Sequence, residues 1–138
     1  MPAEPNVRFQ NPPSLPKFPG FSQVAEVQRG KIVYISGQVA VDAPGALVGK
    51  DDFRAQVEQT FVNLGAAVAA AGGNYADFVK LNYYCVDSAP ADALLIVREI
   101  RDRFLNTEAP PASTFVFVSR LARPEWLIEI EAIAAIDR

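Results

Sequence analysis

The sequence predicts an α+β fold, two helices laid on one face of a mixed β-sheet, and three observations predict it. The stretches 110–118 and 126–134 alternate with period two, the signature of strands. Apolar residues recur at helical spacing from Phe53 to Ala71 and again from Ala93 to Phe104. Strand-like runs precede, separate and follow these helices, so the order reads ββ-α-β-α-ββ.

The first twenty residues carry six of the eleven prolines and read as an extended arm that cannot join a sheet centre, with Phe9, Leu15 and Phe18 available to pin it to the body. A single domain is expected over 21–138. From Phe21 the composition becomes β-rich, and the Arg29-Gly30 turn between Ser22–Gln28 and Ile32–Ile35 signals a hairpin. The second run is apolar enough to be buried on both faces. It ends at Ser36-Gly37-Gln38, where glycine allows close backbone approach and its neighbours offer hydrogen bonds. This is either a site or a tight bend.

Asp51-Asp52 supply an N-cap for the first helix, whose stripe of Phe53, Val57, Phe61, Leu64, Val68 and Ala71 ends at Gly72-Gly73. Its alanines suit close packing on a sheet. Phe78 to Val86 is the next strand. Asp87-Ser88 are expected to cap the second helix, with Pro90 in its first turn. That helix buries Ala93, Val97, Ile100 and Phe104 and turns Arg98, Glu99, Arg101, Asp102 and Arg103 to water. In the last strand Ile128, Ile130 and Ala132 share one face and Glu129 and Glu131 the other, which is either wet surface or the wall of a site.

Composition narrows the chemistry. The 138 residues suffice for one core without disulfide or metal. A net charge of −3 without a Lys/Arg cluster argues against nucleic acid as partner. The lone Cys85 cannot form an internal disulfide, and with no leader-like N-terminus or membrane-length apolar window the expected setting is cytoplasmic, with no membrane partner. Histidine is absent, which removes Ser-His-Asp and Cys-His designs and, with one cysteine, leaves no expectation of a zinc site. Catalysis would fall to carboxylates, hydroxyls, Arg, Lys, Tyr and backbone amides. Because two helices cover one sheet face, the other, with its apolar positions, reads as an oligomer interface with Glu129 and Glu131 near the seam.

Four phrases carry a resemblance: Val33–Gln38, Gln56–Leu64, Gly72–Lys80, and Pro111-Ala112 through Glu129-Ile130-Glu131-Ala132. In order and spacing they resemble the RidA family, also called YjgF or L-PSP, over residues 20–136. The resemblance implies a chorismate-mutase-like fold, a homotrimer with small-molecule clefts between subunits, no cofactor or metal, and hydrolysis of enamines and imines to a 2-oxo acid and ammonia. It places the water-positioning carboxylate at Glu129, the amide-bearing turn at Ser36, Gly37 and Gln38, and the aromatic of the cleft mouth at Phe21. The family's carboxylate-binding arginine falls on Ser113, beside Thr114, and its reactive cysteine on Phe115. A hydroxyl cannot replace the two-pronged clamp of a guanidinium, so the expected substrate lacks a carboxylate or binds it weakly. Arg120 and Arg123 follow the strand, and the family carries an arginine in the Arg120 phrase besides its clamp, so Arg120 is a poor replacement; Arg8, Lys17 or Arg29 could reach in from the arm or the hairpin. Three functions follow: an enamine or imine hydrolase that is not an efficient 2-imino-acid deaminase, a ligand-binding or interaction trimer without chemistry, and a ribonuclease, which the acidic charge balance disfavours.

Overall fold

The last strand of the chain is an inner strand of the sheet. In the computed structural model, which describes residues 4–138, the elements are β1 (Val7–Gln10), β2 (Val24–Val27), β3 (Lys31–Gln38), α1 (Phe53–Ala70), β4 (Phe78–Val86), α2 (Ala93–Phe104), β5 (Ala112–Val118) and β6 (Ile128–Ile136). The main sheet has the order β3-β6-β4-β5. β6 is antiparallel to both its neighbours, and β5 runs parallel to β4. A parallel neighbour needs a crossover, and α2 provides it.

α1 starts where expected, with the Asp52 side chain accepting from Ala55 N at 3.1 Å, and its stripe is buried from Phe53 to Val68. Phe61, Leu64, Phe78, Leu81, Ile100, Ile128 and Ile130 form the fully buried centre between helices and sheet. Each contributes about 1.5–3 kcal/mol relative to an exposed side chain. Two polar side chains of α1 tie down the loops that flank the sheet. Gln56 donates to the Gly49 and Glu125 carbonyls at 3.1 and 3.0 Å and accepts from Leu127 N at 2.9 Å. Asn63 donates to the Val39 and Val41 carbonyls at 2.9 and 2.8 Å. The end of β3 and the start of β6 are therefore held by the same helix.

Several expectations give way. The Gly30 turn does not make a hairpin: β2 pairs with β1, from within the proline-rich stretch, while β3 pairs with β6. The helix-covered sheet has four strands rather than the five of the order ββ-α-β-α-ββ, because β2 leaves it to form a separate ribbon with β1. β3 buries one face only in this chain, leaving Ile32 and Tyr34 exposed on the other. α2 begins at Ala93, and Asp87-Ser88 lie in a preceding turn; Asp92 holds the N-cap position without a side-chain cap bond. Of the expected arm, residues 1–3 lie outside the described residues. The rest is extended at β1, and Leu15 and Phe18 are largely exposed rather than buried as pins.

Candidate functional site

Strand register divides the expected site residues between the two faces of the sheet. Tyr84 lies opposite Glu129, and Asn82 opposite Glu131 and Thr114, on the face that the helices leave open. Leu81 opposite Ser113 and Tyr83 opposite Phe115 lie on the helix-covered face. Within one chain, therefore, Glu129 and Ser113 do not meet.

On the open face Glu129 packs against the backbone of Gly37. A Cβ at that glycine would stand 1.9 Å from Glu129 Oε2, so only glycine leaves the carboxylate its position. Burial raises the pKa of Glu129 above the usual carboxylate range, and the neighbouring Glu131 adds to the effect. Glu131 is engaged, accepting from Asn82 Nδ2 at 3.1 Å and from the Tyr84 hydroxyl at 2.6 Å. Among the described residues Glu129 has no such partner. It lines a shallow groove of about 440 Å³ with Tyr84, Val118, Arg120 and Leu121. Arg120 donates to the Leu121 and Ala122 carbonyls of its own loop at 3.1 and 3.4 Å. A base with one free, partly desolvated carboxylate beside an open groove can accept a proton from water.

The other expected residues disperse. The Gln38 side chain donates to the Ser36 carbonyl, two residues back, at 3.0 Å and lines a separate hollow with Asn63 and Asp42. Thr114 Oγ1 accepts from Lys80 Nζ at 3.0 Å on the open face. Ser113, Phe115 and Phe21 come together on the helix side, in a cavity of about 350 Å³ that Phe18, Tyr83, Val97 and Arg101 also line. Its position is set by Ser22, whose hydroxyl donates to Pro110 O at 2.7 Å and whose amide donates to Pro111 O at 3.1 Å. This clip lays the end of the arm beside the start of β5. Cys85 is buried, and burial pushes its thiol up to about 11, so no thiolate is available at neutral pH. Among the described residues no three Asp, Glu or Cys gather as a metal-binding group, and no helix is long and apolar enough to cross a membrane.

The match to known proteins covers most of the chain. The family model described as Endoribonuclease L-PSP matches residues 15–136. The chain belongs to the RidA/YjgF/L-PSP family. A crystal structure of the Rid-family protein YyfB from Yersinia pestis is 39% identical, with a TM-score of 0.83, covering 95% of this chain and 99% of that one. Protein DfrA of Myxococcus xanthus is 35% identical, the match covering 83% of each chain. A 2-iminobutanoate/2-iminopropanoate deaminase of Salmonella typhimurium is 34% identical over 80% of this chain and 84% of its own.

Two residues of this RidA-family chain, Arg101 and Tyr83, line that cavity without having stood out in the sequence. Arg101 was expected to face water, yet only 11% of its side chain is exposed, against 43–65% for the other arginines in ion pairs. A signal was available: Arg101 stands four residues after Val97 and next to Ile100, on the flank of the buried stripe. For Tyr83 the signal is its alternation with Leu81 and Cys85, which points a phenol into an apolar layer.

Proposed function

We propose that this chain is a hydrolase of enamines, imines or related C–N compounds, working as a homotrimer whose clefts lie between subunits, with Glu129 as the general base. The observation that carries this reading is the unpaired Glu129 carboxylate, with raised pKa, seated on the Gly37 backbone beside an open groove. The 34% identity to the Salmonella imine deaminase supports it. The opposed placement of the two halves supports a composite cleft: one chain offers Glu129 and Gly37 on its open face, and a neighbour's Ser113, Phe115 and Phe21 would complete the site.

In this scheme ionised Glu129 takes a proton from water as the water oxygen bonds to the imine carbon, and passes that proton to the imine nitrogen, which returns Glu129 to its ionised state. The resulting carbinolamine collapses: Glu129 relays the hydroxyl proton to the amino nitrogen, the C–N bond breaks, ammonia leaves and a carbonyl forms. No electrons are exchanged with any partner. A raised pKa makes the Glu129 carboxylate a stronger base towards water. Ser113 in place of a fixed cation weakens the hold on a short 2-imino acid, so 2-iminopropanoate is a poor substrate.

The test is ammonia release from 2-iminopropanoate generated in situ by an amino-acid oxidase. Weak acceleration by wild type, lost by about a hundredfold in Glu129→Ala and raised in Ser113→Arg, is expected. If neither wild type nor Ser113→Arg accelerates release, the hydrolase reading fails and a ligand-binding trimer without chemistry takes its place.

A further inference from the structure

The last strand carries two carboxylates on one face, and the strand beside it treats them unequally. Glu129 and Glu131 are alternate residues of β6, about 7 Å apart along the strand and both on the open face. Asn82 stands opposite Glu131 and donates to its Oε1 at 3.1 Å. Tyr84 stands opposite Glu129, yet its hydroxyl passes that neighbour and donates to the same Glu131 oxygen at 2.6 Å. Diagonal neighbours across a strand pair are within reach of an aromatic side chain. β4 therefore directs both of these donors at one carboxylate and neither at the other.

The other groups around the pair leave the difference in place. Arg120, the cation among the groove's lining residues, is turned to the Leu121 and Ala122 carbonyls of its own loop. Lys80 donates to Thr114 Oγ1 at 3.0 Å, on the far side of Asn82 from Tyr84. β3 brings the uncharged Gly37 backbone against Glu129 and the Tyr34 side chain to the hollow beside Glu131. Two donors favour the charged form of the carboxylate that accepts them, and a fixed negative charge disfavours ionisation of a carboxyl nearby. The bond to Glu131 in turn raises the pKa of Tyr84 above the ordinary phenol value, so the hydroxyl keeps the proton it donates. Unequal surroundings of this kind are what give paired carboxyl groups separate duties.

We infer that Tyr84 is a positioning residue for Glu129: together with Asn82 it holds Glu131 as a standing negative charge, which leaves Glu129 as the member of the pair that takes up and returns a proton. The inference rests on the hydrolase reading for the use of that proton. The division between the two carboxylates is a property of the charges and is measured without turnover.

Carboxyl-carbon NMR titration of the full chain tests this, with the Glu129 signal identified by its loss in Glu129→Gln. In wild type that signal is expected to titrate in a single step above the usual glutamate range. Glu131→Gln, which keeps an oxygen for Tyr84 and removes the charge, should move the step to lower pH. Tyr84→Phe, which keeps the ring and loses the donor, should split the step in two, because the proton is then shared between the carboxylates. A Tyr84→Phe curve that superimposes on wild type, or a Glu129 step that Glu131→Gln leaves in place, overturns the inference. A two-step Glu129 curve in wild type overturns it even where a variant does not fold. The expected curves, found without ammonia release from wild type or Ser113→Arg, would sink the hydrolase reading alone.

Discussion

Glu129 holds its proton more tightly in the folded chain than in the unfolded one, because burial and Glu131 both disfavour its ionised form. Between its ordinary value of 4.5 and its folded value, the unfolded chain has released a proton that the folded chain keeps. Stability therefore falls as pH rises through that window and is regained below it. Glu129→Gln removes the charge and with it this dependence. The variant is expected to show a higher urea midpoint than wild type at about pH 7.5 and the same midpoint at about pH 4. Urea titrations at the two values check this, and an unchanged difference between them would show that Glu129 is not destabilised by ionisation. Activity should move oppositely, since the proton-accepting form is the ionised one.

α1 does more for the site than its apolar stripe accounts for. Gln56 is fully buried and makes three hydrogen bonds, to Gly49 O, Glu125 O and Leu127 N, two of them to the segment that leads into β6. Gln56→Leu keeps most of the volume and leaves those three backbone groups without this partner. A loss of about 2–4 kcal/mol is expected from denaturant unfolding. A loss below about 0.5 kcal/mol would mean that water replaces the amide. The chain carries a readable mark of this role: Gln56, Thr60 and Asn63 recur along α1 at helical spacing beside the apolar stripe. A polar residue at a buried helical position implies a bonded partner, but which loop provides it depends on elements far away in sequence.

For the whole molecule the decisive feature is the uncovered sheet face. Ile32 is 43% exposed, Tyr34 79% and Val116 40%, and register puts Tyr34 beside Ile133 on the same face as Glu131 and Tyr84. Water-exposed apolar groups on a broad sheet face are the usual mark of a subunit interface. Sedimentation velocity is expected to show a trimer for wild type and monomers for the double variant Ile32→Glu, Tyr34→Glu, with unchanged far-ultraviolet circular dichroism. A monomeric wild type would remove the composite cleft and leave Glu129 and Ser113 on opposite faces of one sheet.

The extents of α1 and β4, the presence of β5 and β6, each beginning two residues later than its alternation, and the split of β6 into Ile128, Ile130 and Ala132 against Glu129 and Glu131, were determined by the sequence alone. Periods of 3.6 and 2 are local properties, written in every short window of the chain. What tertiary structure decided is of another kind. β2 pairs with β1 rather than β3, β6 lies between β3 and β4, and Arg101 leaves a charged run to point under the arm. A strand's partner is chosen by hydrogen bonds and side-chain layers that form only when distant segments meet, and a long side chain's direction by the space they leave. The sequence names the donors; packing decides which of them share a cavity.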